Sequence, residues 1–159
     1  KLEPRKTIVH GDMRITPYQL DHPDPCWGYR IEHSGKSVAY CVDTECLRTT
    51  PEELGPDLPM YQNLDLMIFD SQYTLSEAIE KVDWGHAAAT IGLDLAFREK
   101  IKRVIFTHHD PAAPDTKIAE ARNQAMKYHQ SQKKIAARAA QPFFDVEWDY
   151  GIEGLVIEL

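Results

Sequence analysis

The sequence predicts a mixed α/β domain, and three observations predict it. The N-terminal third alternates apolar and polar residues in short runs around tight-turn residues, as an antiparallel meander does. Farther on, Leu64 to Phe69 and Arg103 to Thr107 are short apolar runs bounded by polar residues, the pattern of buried strands. Stretches with helical spacing follow each of these runs. A meander, then strand, helix, strand, helix, is a mixed α/β order.

Met13 to Leu20 sets Met13, Ile15 and Pro17 against Arg14 and Thr16 and reads as the first strand. Trp27 to Glu32 reads as the second. Ser34-Gly35-Lys36 is a tight turn into a third, from Ser37 to Val42. Thr50 to Pro59 carries three prolines and reads as a loop with one helical turn. Leu64 to Phe69 ends at Asp70, and Ser76 to Lys81 fits a short helix. Ala87 to Lys100 puts Ile91 and Leu95 on one face and finishes with Arg98 and Lys100, charges that suit a helix C-terminus. After the Arg103–Thr107 strand, Asp115 is placed to cap a long helix running from Lys117 into the 130s. Phe144 to Trp148 and Leu155 to Leu159 are expected to close the fold as strands.

The 159 residues suffice for one domain with a sizeable core, not for two. A net charge of −7 argues against broad, non-specific nucleic-acid binding but leaves room for a site that takes one phosphodiester. No apolar run approaches transmembrane length, and Lys1 to Lys6 has no signal-peptide core. Cys26, Cys41 and Cys46 are an odd number without C-x-x-C spacing, so a reduced, cytoplasmic protein is expected. The chain starts at Lys1 rather than Met, and the expectation is a piece of something longer.

Polar residues gather where apolar segments end. "QLDHPD" places His22 after the first strand, "YCVDTE" places Asp43 after the third, and "FTHHDP" places His108 after a core strand. Imidazole nitrogen and carboxylate oxygen are donors that zinc, manganese and iron accept. Asp70 ends "LMIFD", and His86 stands in "DWGHAAAT" at a helix start, where the dipole favours a neutral imidazole or an anion. Singly, each has an ordinary reading as a loop, turn or cap residue. Together, five such residues point to one joint site. His10, His33 and His129 fit no such pattern and read as surface residues, and Lys133, Lys134 and Arg138 as a solvated helix face.

In this order the pieces resemble the metallo-β-lactamase-fold hydrolases. Within them the chain is similar to the phosphodiesterase-like branch that includes the tRNA 3′-end endonuclease tRNase Z and relatives acting on cyclic nucleotides. "DHPDPCWGYRIE" resembles the branch's strand-to-His segment, "YCVDTE" its metal-bridging Asp, and "LDLMIFDSQYT" its strand ending in an acid. "WGHAAATIGLDLA" resembles its Gly-His helix start, "VIFTHHDP" its strand ending in Thr-His, and "GIEGLVIEL" its final strand. The likeness runs over about residues 13–159. Three positions depart from it: Val42 precedes Asp43 where the family has Gly, Asp70 stands for a glutamate, and Ala87 for a serine. The family's H-x-H-x-D-H motif has no counterpart, and only 21 residues precede His22.

The resemblance implies the C-terminal half of a four-layer αββα sandwich, a single partial domain over residues 1–159; a degenerate relative is the alternative. It implies His22, Asp43 and His108 as metal ligands, with Asp43 bridging two divalent ions in the intact protein. Zinc leads, with manganese or iron as substitutes, and this stretch alone is expected to hold at most one ion and to be inactive. His86, held by Asp70, would protonate the leaving oxygen or stabilise the transition state. His109 and Asp110 would support the ligands or face the substrate, with a solvated loop position as the other reading of His109. Net acidity and the lack of an obvious basic arm disfavour long RNA, so the expected substrate is a small phosphodiester such as a cyclic nucleotide, with other ester hydrolysis as the alternative. A half sandwich exposes an apolar sheet face, to be covered by the missing half or by a second copy. Two readings from other classes remain: a non-catalytic sensor or assembly domain, and a binding domain whose polar strand ends are incidental. H-x-H-x-D-H upstream in the gene separates the first reading from both.

Overall fold

Four antiparallel strands open the chain. In the computed structural model, which describes residues 2–159, they are β1 (Ile8–His10), β2 (Met13–Gln19), β3 (Trp27–His33) and β4 (Lys36–Cys41). A short helix α1 (Pro51–Leu54) and a 3-10 turn (Gly55–Met60) follow. Then come β5 (Leu66–Asp70), α2 (Leu75–Glu80), α3 (Ala89–Glu99), β6 (Arg103–Thr107), α4 (Asp115–Arg138) and β7 (Glu147–Tyr150). All seven strands form one sheet in sequence order, antiparallel from β1 to β4 and parallel from β4 to β7. The mixed α/β class is as expected.

Four local expectations need correction. β1 was not expected; its three residues are all exposed and show no alternation. Leu155 to Leu159 is not a strand: the run pairs with no strand of the sheet and its residues are mostly exposed. Asp115 does not cap α4; extended Pro114 is the cap, with no side-chain bond, and Asp115 is the first helical residue. His129 is not a surface residue. Trp148 Nε1 donates to its Nδ1 at 2.7 Å, so Nε2 carries the proton shared with Asp145 at 3.0 Å.

One face of the sheet holds the core. Met67, Phe69, Val104 and Phe106 are fully buried and pack with Leu93 and Ala96 of α3 and Ala125 of α4. α3 sits close because Gly92 has no side chain. A Cβ there would stand 2.7 Å from Phe69 and 2.8 Å from Phe106, two rings with no room to retreat. Gly92→Ala gains about 1 kcal/mol of helix propensity but overpacks this contact by about 1–3 kcal/mol. The expected net result is a lower midpoint in thermal or urea unfolding, and an unchanged midpoint would mean that the helix shifts freely on the sheet.

The opposite face carries apolar rows. Ile15, Ile31 and Val38 lie in register, as do Pro17, Tyr29, Tyr40 and Ile68, and most of these are only partly buried. Away from the sheet, Thr74 and Glu77 form a reciprocal cap on α2. The Lys117 ammonium, 2.7 Å from Glu77, draws that carboxyl down from 4.5 to about 2. A lowered carboxylate pKa adds stability above pH 4.5 that is lost as pH falls towards 2. Lys117→Met is expected to return Glu77 towards its usual range in a carboxyl NMR titration. Its stability cost should stay below about 1 kcal/mol, as for other partly exposed pairs.

Candidate active site

The sheet topology brings the polar strand ends together. β2 is antiparallel to β3, and β3 to β4, so β2 points the same way as the parallel set β4, β5 and β6. The segments carrying His22, Asp43, Asp70 and His108 therefore all leave from one edge, the carboxyl end of the parallel strands, where α/β sheets bind ligands. Asp70 pairs with Thr107 across β5 and β6, which sets His108 beside it.

Asp70 organises the site. It is fully buried, and its Oδ2 accepts from the Asp43 backbone N–H at 3.0 Å. The same oxygen takes His86 Nδ1 at 3.1 Å and His108 Nδ1 at 2.8 Å. Oδ1 accepts the backbone N–H groups of Gln72 at 3.1 Å and Ala87 at 3.2 Å. One carboxylate thus ties β4, β6 and the approach to α3 to the end of β5. Both imidazoles donate through Nδ1, which leaves Nε2 of each with a lone pair for a metal or a substrate. The Asp70 hydrogen bond raises the pKa of His108, aided by the charges of Asp70 and Asp43 and opposed by burial.

Asp43, His86 and His108 offer ligand atoms that all lie within 4.8 Å of one another. His22 Nε2 is 3.4 Å from Asp43 Oδ1, and His86 Nδ1 is 3.6 Å from the same oxygen. Donors around a tetrahedral zinc stand roughly 3.3–3.5 Å apart, given metal bonds near 2.0–2.1 Å, so the His22 Nε2–Asp43 Oδ1 separation suits a divalent ion, whereas His86 Nδ1 is the nitrogen committed to Asp70. Asp43 and His108 both adopt φ +64°, an uncommon backbone that Asp and His tolerate better than most residues. Such conformations concentrate at functional sites.

The tight trio includes His86, which the sequence reading kept apart from its expected ligand set of His22, Asp43 and His108. His22 lies at the margin, its Nδ1 3.0 Å from the backbone N and 3.1 Å from the carbonyl oxygen of Asp24; donation to that carbonyl leaves Nε2 with the lone pair a ligand needs. His109 and Asp110 fall outside the trio. The His109 ring stacks on Tyr150 at 5.1 Å and 6°, and its burial lowers its pKa. Asp110 Oδ1 accepts from the Ala112 N–H at 2.9 Å, closing a local turn.

Three contributors escaped the sequence reading. Buried Glu45 accepts the Gly85 N–H at 3.0 Å and anchors the loop ahead of His86. Gly85, at φ +90°, lies against the His22 ring, where a Cβ would stand 2.2 Å from Cδ2. Tyr73 sets its ring edge-to-face against His86 at 5.6 Å. The only local signals were a Glu after "DT" and a Gly before His86.

Comparison with known proteins follows this geometry. The family model "Beta-lactamase superfamily domain" matches residues 1–109. Among solved structures, the metallo-β-lactamase fold protein YhfI from Bacillus subtilis aligns with a TM-score of 0.65 and 16% identity, covering 97% of this chain and 53% of that one. A diphosphatase from the PhnP family aligns at 0.58 and 18%, covering 98% and 47%. The short form of human tRNase Z aligns at 0.54 and 15%, covering 65% and 38%. The chain therefore spans about half the length of YhfI and of the diphosphatase. No curated protein sequence matches it. No helix among the described residues is long and apolar enough to cross a membrane. With the family match over residues 1–109 and a sheet shared with these structures, the chain belongs to the β-lactamase superfamily domain family and has the metallo-β-lactamase fold.

Proposed function

We propose that residues 1–159 are the C-terminal half of a metal-dependent phosphodiesterase. The observation that carries this reading is the convergence of Asp43, His86 and His108 around buried Asp70 on one sheet edge. Two divalent ions are its cofactors, zinc first and manganese or iron as substitutes, with at most one held by these residues alone. Asp43, His108 and His22 would hold metal on this side of the site. A bound divalent ion supplies an acidified water near neutral pH and charge stabilisation at the phosphoryl oxygens.

The remaining steps belong to the chain. Asp70 fixes the His86 and His108 rings and their tautomers. His86 presents Nε2 to the substrate, where it takes up a proton from solvent and passes it to the leaving oxygen, while Nδ1–H stays on Asp70. The substrate is a small phosphodiester, a class that suits a chain of net charge −7 better than long RNA does. The other half of the sandwich, or a second copy, covers the open face bearing Val38 and Tyr40. A reducing, cytoplasmic setting goes with this reading, supported by three unpaired cysteines.

The test is metal content and hydrolysis of bis(p-nitrophenyl) phosphate by the full-length gene product. Bound metal with diester turnover is expected, and neither metal nor turnover would overturn the reading. His86→Gln separates two roles within it. A proton donor loses about 10²–10⁴-fold in kcat with metal content kept, whereas loss of metal would make His86 a ligand instead.

A further inference from the structure

Between α2 and His86 the chain spends a large aromatic residue on solvent. Trp84 is 63% exposed and takes no part in the core, yet its position is fixed on both sides. Its own N–H donates to Lys81 O at 3.2 Å, and the next N–H, of Gly85, donates to buried Glu45. Gly85 in turn lies against His22. The indole is therefore carried on a segment held against the candidate site.

Lys81 completes the arrangement. Its ammonium stands 4.2 Å from the Tyr73 ring centre and 5.5 Å from that of Trp84. It forms no ion pair among the described residues. Tyr73 is buried, and its ring is the one that meets His86 edge-to-face. The Tyr73 ring thus meets both an uncompensated cation and the imidazole that faces the reaction, with an open indole alongside.

We propose that Lys81 and Trp84 form a binding subsite for the nucleoside portion of a nucleotide phosphodiester. A planar base stacks on the indole, and a phosphate oxygen pairs with the ammonium. This rests on the phosphodiesterase reading and narrows its substrate class. Stacking on an aromatic side chain tolerates any base, because each has a π-face, so the subsite selects for a base without selecting which one. The cation neutralises charge on the phosphate, and the Tyr73 ring face holds it in place.

The experiment is calorimetric titration of the metal-loaded full-length protein with adenosine 5′-monophosphate and, separately, with ribose 5-phosphate. The two share sugar and phosphate and differ in the base. The nucleotide is expected to bind roughly tenfold more tightly. Trp84→Ala should erase that preference while Trp84→Phe keeps most of it, and Lys81→Met should weaken both ligands several-fold. Both side chains are away from the core, so these variants should fold. Equal binding of the two ligands, absence of binding, or a base preference that survives Trp84→Ala overturns the subsite. A preference lost in Trp84→Ala, in a protein that hydrolyses no diester, upholds the subsite and removes the proposed reaction instead.

Discussion

Asp70→Asn is expected to lower metal affinity by about 10–100-fold and diester turnover by more than about 100-fold. A hydrogen-bond partner behind a ligating histidine typically contributes 10–100-fold, and Asp70 serves the ligand His108 and the proton donor His86 alike. The amide cannot replace the carboxylate, because every contact Asp70 makes is with a donor. If the amide oxygen faces the imidazoles, its NH₂ confronts the Gln72 and Ala87 N–H groups. If it is turned round, the NH₂ meets both rings and the Asp43 N–H. Either orientation leaves buried donors unpaired, at about 1–3 kcal/mol, so thermal unfolding should shift down by several degrees as well.

A second readout follows from His108. Its pKa is raised above 6.5 chiefly by the Asp70 hydrogen bond. A raised histidine pKa contributes stability that is complete below pH 6.5 and lost as pH rises through the folded-state value. In the metal-free protein that slope should be present, and Asp70→Asn should flatten it. Metal affinity within about threefold of the parent, with the slope intact, would mean that the rings hold their positions without Asp70.

What the sequence revealed, and what it hid, divides along sequence separation. His22, Asp43, Asp70 and His108 were legible because each follows an apolar run and its position depends on that run alone. The service of Asp70 to both imidazoles was not legible. Its bond to His108 spans 38 residues and exists because β5 and β6 are parallel and paired in one register. The sequence named His86 as the partner of Asp70 but could not show that its ring also reaches Asp43. His129 was misplaced for the same reason, since its burial depends on Trp148, 19 residues away. The Leu155–Leu159 run carries strand-forming residues, but its propensity is not matched by pairing, since it joins no strand of the sheet and stays mostly exposed.

Gly85→Ala is expected to reduce metal affinity by more than about tenfold, through a residue that cannot itself bind metal. Two costs combine at this position. A side chain at φ +90° is strained whatever the space around it, by about 1–2 kcal/mol. The new methyl would also stand 2.2 Å from His22 Cδ2 and 2.3 Å from Nε2, so the ring must leave its place. Nε2 is the atom that faces Asp43, and losing that geometry removes a ligand from the site. The loop cannot simply back away, because the Gly85 N–H is bound to buried Glu45. Gly154→Ala is the matched control, with φ +79° and open space around its Cβ. It should show the backbone cost alone, with metal affinity unchanged. Isothermal titration with zinc and a thermal melt on both variants of the full-length protein distinguish the two effects. If Gly85→Ala binds zinc as the control does, His22 is not a ligand, and the site rests on Asp43, His86 and His108.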